Sequence, residues 1–242
     1  MVGLTKSVQS RLEPILYDSL DLSKESIFDA FIRAARYKPA LLSLGTREMI
    51  VPKNSWTSAV PVHVLHDGIR LCSRLERLSF ARDLATPALL PVLASLPLRR
   101  LVTAVVRLLP ESSANTASTT SWLAEASNAL KHITHLEPLE DITLPDSERT
   151  RQLVAALPSL THLASLRGNP NFDVDTWLET VPHLVVFVFI HGAHQQVPFR
   201  DARIAVTTWR KWHEGSTQMW SYWDRAEKYL RSKERNLPVS TS

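Results

Sequence analysis

LPSLTHLASL, residues 157–166, puts an apolar side chain at every third position: Leu157, Leu160, Leu163 and Leu166. The unit is an apolar residue, two others, Leu, two others, Leu. It recurs as Cys72, Leu75 and Leu78, with Phe80 following, and as Leu130, Ile133 and Leu136. It recurs again as Val181, Leu184 and Phe187, with Phe189 following, and in shortened form as Leu98 and Leu101. The central positions Leu75, Leu98, Ile133, Leu160 and Leu184 are separated by 23, 35, 27 and 24 residues.

Three of these spacings fall in the range of about 20–29 residues that leucine-rich repeats use. The longest contains the polar stretch Glu111 to Ser121, which reads as a surface insertion. A helical pattern precedes the copies. Ser23 is placed to cap a helix with Ile27, Phe28, Phe31, Ile32 and Ala35 on one face, ending before Pro39. Further apolar faces run through Pro61 to Cys72, Pro87 to Leu96, and Trp122 to Ile133. Asp146 and Asp173 are placed to cap two more, with Leu153, Val154 and Leu157, and Val174, Trp177, Leu178 and Val181, turned inward.

One helix and one short strand cannot cover their own apolar faces. Stacked units bury those faces against each other and pair their strands in parallel. The expected fold is α/β: an irregular leucine-rich-repeat-like solenoid with parallel strands on one face and helices on the other. The alternative is a non-repetitive α/β domain rich in leucine. The segment Met219 to Asn236 predicts one helix with Met219, Trp220, Trp223, Ala226 and Leu230 on one face. Asp224 with Lys228, and Glu227 with Arg231, are favourable i,i+4 pairs. This helix is expected to cap the last repeat. The organisation expected is a first strand within 1–22, the repeat domain over 23–195, the cap over 196–237 and a disordered tail over 238–242.

The longest purely apolar run, Leu184 to Ile190, is seven residues, against roughly 20 for a membrane span; it reads as a buried strand. The N-terminus lacks a signal-type apolar core, and the lone Cys72 cannot form an internal disulfide. Cytosol or nucleus is the expected location. The net charge of +4 resides entirely in residues 200–242; the remainder is neutral.

Several segments resemble the F-box-like, leucine-rich proteins that occur in large numbers in basidiomycete fungi. They are VQSRLEPILYDSLDL (Val8 to Leu22), IFDAFIRAARYKPALL (Ile27 to Leu42), LPSLTHLASL (Leu157 to Leu166) and WDRAEKYLRSKER (Trp223 to Arg235). In that family an F-box of about 40–50 residues precedes the equivalent of Val8 to Leu22. The resemblance therefore implies a repeat domain whose F-box is absent or reduced to a tail within 1–22. It implies a substrate-receptor-like surface for a protein partner, without docking to a ubiquitin-ligase adaptor.

The six glycines are too dispersed for a phosphate-cradling loop, and no Gly-x-Ser-x-Gly elbow occurs. Cys72 holds an apolar motif position and is expected as a buried filler. His213–Glu214 is followed by Thr217 where a zinc-protease motif needs histidine. Three histidine pairs, 63/66, 132/135 and 191/194, have a spacing of three, but no third ligand lies nearby in sequence. Their expected place is a polar strand surface or turn. No catalytic residue, metal ligand or cofactor is assigned. Trp209, Arg210, Lys211 and Trp212 interleave rings with cations as single-strand binders do, so nucleic-acid binding by the C-terminal segment is the alternative function; packing of those tryptophans in the cap is the preferred reading. The favoured function is a non-enzymatic protein–protein interaction module. Arg74, Glu76, Arg99, His135 and His162, on the outward positions of the motif strands, are the candidate contact residues.

Overall fold

A computed structural model describes residues 15–110, 119–166, 172–191, 201–208 and 221–235. The chain forms two compact units, Met1–Ile133 and Thr134–Ser242. The division falls inside the span expected as a single repeat domain. The expected tail over 238–242 and the Trp209–Trp212 stretch lie outside the described residues. Both units are α/β with parallel strands.

In the first unit β1 (Ser19–Asp21) leads through α1 (Glu25–Tyr37) and α2 (Pro39–Gly45) to β2 (Glu48–Val51). Then α3 (Ser55–Ala59) and α4 (Val62–Arg70) precede β3 (Arg77–Phe80). Two 3-10 turns and α5 (Leu90–Ala94) precede β4 (Arg100–Thr103), followed by α6 (Val105–Leu108) and α7 (Thr119–Ala129). The strands pair in chain order, all parallel.

In the second unit β5 (His135–Pro138) leads through α8 (Glu148–Ala156) to β6 (His162–Leu166). Next, α9 (Val174–Glu179) leads to β7 (Val186–His191), followed by β8 (Ile204–Thr208) and α10 (Ser221–Arg235). These strands also pair in order and in parallel.

The leucine motif maps onto this architecture position by position. Its third residue occupies the second place of each strand: Leu78 pairs with Leu101, Leu136 with Leu163, and Leu163 with Phe187. Among the described side chains, no motif residue is more than 2% exposed. Of the Leu184–Ile190 run, Val186 to Ile190 form a strand buried on both sides, whereas Val185 ahead of it is 57% exposed. A further repetition lies in the backbone. The carbonyl just before a strand accepts two N–H groups from the residues entering the next strand. Asp18 O takes Arg47 and Glu48, Arg47 O takes Glu76 and Arg77, and Glu76 O takes Arg99 and Arg100. Thr134 O takes Thr161 and His162, and Thr161 O takes Val185 and Val186. All ten bonds are 2.8–3.0 Å.

Besides β1, expected from the N-terminal segment, two strands have no counterpart in the leucine pattern. β2 places Met49 in register with Leu20 and Leu78. Its unit carries Leu42 and the buried polar Thr46 ahead of Met49, so the leucine spacing is broken there. β8 aligns Ile204 with Phe187 without a preceding motif.

Two expected caps differ. The N-cap of α1 is Lys24, without a side-chain bond, because Asp21 draws the Ser23 N–H back toward β1. The N-cap of α8 is Ser147, since Asp146 lies inside a 3-10 turn over Pro145–Ser147. Asp173 does cap α9, its Oδ1 accepting from Thr176 N at 3.1 Å. No helix among the described residues is long and apolar enough to cross a membrane.

The C-terminal helix α10 is the largest departure. Trp177 of α9 packs on Phe187, which marks one face of β7 as the helix side. α10 lies on the other face. Tyr222 reaches Glu137 of β5, Trp223 meets His135 and His162, and the helix continues over β7 and β8. It therefore covers the strand face of the second unit and does not simply close the last strand. Its buried residues Tyr222, Trp223, Ala226 and Leu230 supply the apolar face that requires this cover.

Candidate functional site

In a parallel ladder, residues one place before the buried motif position point to the opposite face. In the first unit that row is Ser19, Glu48, Arg77 and Arg100, each the Cα partner of the next. Arg77 Nη1 bridges to Glu48 Oε2 at 3.2 Å. Behind the row, Leu20, Met49, Leu78 and Leu101 are at most 3% exposed, so it stands on a rigid base.

Three candidate contact residues fall just outside this row. Arg74 is exposed in the turn before β3, where its Nη1 donates to Leu44 O at 3.0 Å and satisfies a carbonyl at the end of α2. Glu76 precedes β3 and supplies the acceptor carbonyl for Arg99 and Arg100. Arg99 is exposed one residue before β4. The strands begin one to three residues later than the motif suggests, so Arg77 and Arg100 occupy the face positions.

The other two candidates, His135 and His162, are strand residues and Cα partners of each other. Their rings stack with centroids 4.0 Å apart and planes inclined by 11°. Trp223 stands edge-on to both, at 5.3 Å and 5.7 Å. The pair is covered by α10 and half-buried, so it does not form an open surface.

Glu227 of α10 completes the cluster, its Oε1 lying 3.2 Å from His162 Nε2. Its Oε2 is held by Arg231 at 2.5 Å, the i,i+4 pair expected from the sequence. One donor atom from each of His135, His162 and Glu227 lies within 4.8 Å of the others. Local spacing offered no third ligand beside these histidines, because Glu227 is 65 residues beyond His162. The only sequence signal was the repeated Thr-His dipeptide, Thr134–His135 and Thr161–His162.

Each threonine holds its histidine. Thr134 Oγ1 is 2.9 Å from His135 Nδ1, and Thr161 Oγ1 is 2.8 Å from His162 Nδ1. The Thr161 hydroxyl also donates to Thr134 O at 3.2 Å. Either the Nδ1–H of His162 donates to Thr161 Oγ1, leaving Nε2 as an acceptor, or Thr161 donates to Nδ1 instead and an Nε2–H donates to Glu227.

Beside the cluster lies a cleft of about 310 Å³ whose wall includes His162, Val186, Arg203, Glu227, Leu230 and Arg231. Arg203 is fixed by Asp201, Nη2 to Oδ2 at 2.6 Å, and by the carbonyls of Leu178, Val181 and Leu184. The Arg203 guanidinium holds the Asp201 carboxyl below its ordinary value.

The remaining sequence candidates fall elsewhere. His66 is buried in α4 beside Phe80, and burial lowers its pKa. Burial pushes the Cys72 thiol up to about 12, the state of a protonated core residue. No family model matches the chain, and no curated protein is found to be similar to it.

Proposed function

We propose that the chain is a leucine-rich-repeat-like solenoid that serves as a non-enzymatic protein-recognition module, substrate-receptor-like in the sense implied by its resemblance to F-box leucine-rich proteins. The repeated pre-strand carbonyl, accepting two N–H groups at each step, supports the solenoid part. The recognition part rests on one observation: the in-register row Ser19–Glu48–Arg77–Arg100 on a rigid strand face. Repeat proteins use such surfaces by shape and charge complementarity. Around the row, Arg47, Arg74 and Arg99 outnumber the acids Asp18, paired with Arg47 at 3.7 Å, and Glu76. Guanidinium groups recognise carboxylates with a bidentate fork, so the partner chemistry that fits is an acidic protein segment.

The test is affinity purification of the whole chain beside its Arg77→Glu/Arg100→Glu variant. The variant is expected to lose a partner that the wild type retains, with that partner's crosslinks mapping to β2–β4. An unchanged partner set, or crosslinks confined to other surfaces, rejects the reading.

A further inference from the structure

We propose that His135, His162 and Glu227 form a binding site for a single divalent transition metal ion, zinc by preference, that ties α10 to strands β5 and β6. The inference is independent of the recognition surface in the first unit.

Two imidazoles and a carboxylate are a common three-ligand set for zinc, leaving a fourth position for water or another ligand. The three groups come from three elements brought together by the fold. His135 and His162 are neighbours because the ladder aligns them, and Glu227 is delivered by the helix lying across both. Their donor atoms lie within 4.8 Å of one another. Zinc bonds of 2.0–2.1 Å place tetrahedral ligands about 3.3 Å apart. Closure of at most about 1.5 Å, with the stacked rings tilting toward each other at their Nε2 edges, brings the set onto one ion.

The outer contacts favour a metal. Metal-binding histidines generally donate their second ring nitrogen to an oxygen, which fixes the tautomer. Thr161 and Thr134 place a hydroxyl oxygen beside Nδ1 of His162 and His135, where it can accept that hydrogen. Nε2 of His162 faces the Glu227 carboxylate at 3.2 Å. That separation is close to the spacing of two ligand atoms on one zinc ion. Arg231 holds Oε2 and thereby orients Oε1 toward the histidine. The edge of Trp223 limits rotation of both rings. The adjoining cleft opens beside His162 and Glu227, giving an entry path and room for an exchangeable fourth ligand. Arg203 and Arg231 on its wall favour an anion in that position.

The test uses the intact chain freed of metal with a chelator. Zn²⁺ is titrated calorimetrically, and Co²⁺ is used as an optical probe of coordination geometry. One ion per chain is expected to bind with a dissociation constant in the micromolar range or tighter, to raise the melting temperature and to give a four-coordinate Co²⁺ spectrum. Glu227→Gln should weaken binding at least tenfold. His135→Ala/His162→Ala should abolish it, while His132→Ala leaves it unchanged. Circular dichroism of each metal-free variant separates loss of a ligand from loss of fold, and the conservative His162→Gln provides a second test where the double variant fails to fold. The proposal is overturned if the wild type binds no stoichiometric Zn²⁺, leaving the cluster a plain histidine–carboxylate contact. It is equally overturned if binding survives loss of both histidines.

Discussion

Tyr222 donates its phenolic hydrogen to Glu137 Oε2 across 85 residues of chain, and both side chains are buried, at 4% and 1% exposure. This bond joins α10 to β5 on the face away from the other helices. Tyr222→Phe keeps the ring against Trp223, whose centroid is 4.6 Å away, and removes only the donor. Loss of a hydrogen bond to a buried polar group costs about 1–3 kcal/mol. Urea unfolding followed by tryptophan fluorescence should show that loss. Glu137→Gln in the Tyr222→Phe background should recover part of it, because a neutral amide is cheaper to bury than a carboxylate. An unchanged midpoint in Tyr222→Phe would mean that the helix is held by its apolar face alone.

Arg203 connects the start of β8 to the end of α9. Its guanidinium takes both Asp201 oxygens and the carbonyls of Leu178, Val181 and Leu184. The side chains of Arg203 and Asp201 are 25% and 18% exposed, so water replaces these bonds only in part. Arg203→Ala is expected to cost about 2–4 kcal/mol, through the broken pair and the carbonyls left behind. Arg203→Lys keeps the charge but lacks the planar fork, and should recover less than half. Equal stability of the lysine variant and the wild type would show that charge alone matters at this position.

Gly68 marks where α4 crosses α1. A Cβ there would lie 2.5 Å from Phe31 Cζ, and Phe31 is fully buried. Gly68→Ala should therefore destabilise by about 1–3 kcal/mol despite the better helix propensity of alanine. Shortening the opposing ring by Phe31→Leu should make the double variant more stable than the sum of the two single effects. Strict additivity would place the strain elsewhere.

How much of this was legible in the sequence follows from the range of each interaction. The motif residues Leu75, Leu98, Ile133, Leu160 and Leu184 located five strands correctly because their pattern is local and each is buried. β2 was hidden because Thr46 replaces the central leucine, and β8 because nothing of the pattern precedes Ile204. Outward positions slipped at Arg74, Glu76 and Arg99 because the strand starts are set by ladder bonds such as Arg77 N to Arg47 O, which spacing does not reveal. Helical spacing pairs Glu227 with Arg231, and the fold adds a second contact: one carboxylate oxygen meets Arg231 and the other His162. The second contact requires α10 to lie across the strands, a tertiary choice made by Tyr222, Trp223 and Leu230 that helical periodicity leaves open.

His66 carries a pH dependence whose direction follows from its burial. It is 5% exposed, its ring centroid 6.0 Å from that of Phe80. Burial is the largest influence and lowers its pKa below the ordinary 6.5, with Arg70 and His63 acting in the same direction and Leu84 and Asp67 opposing. The folded ring is therefore neutral where the unfolded ring has already begun to take up a proton. Below pH 6.5 the unfolded chain binds the extra proton, so the His66 contribution is intact above 6.5 and declines as the pH falls, until the lowered folded pKa is reached. One proton sets a ceiling of about 1.4 kcal/mol per pH unit on the slope. His66→Leu removes the group and should flatten the plot of unfolding free energy against pH between about 6.5 and 5, where an ordinary histidine gains its charge. Because the other histidines titrate in both proteins, the informative quantity is the difference between the two slopes. Parallel lines would mean that His66 accepts its proton as readily in the folded chain as in the unfolded one, and that α4 opens to let water reach it.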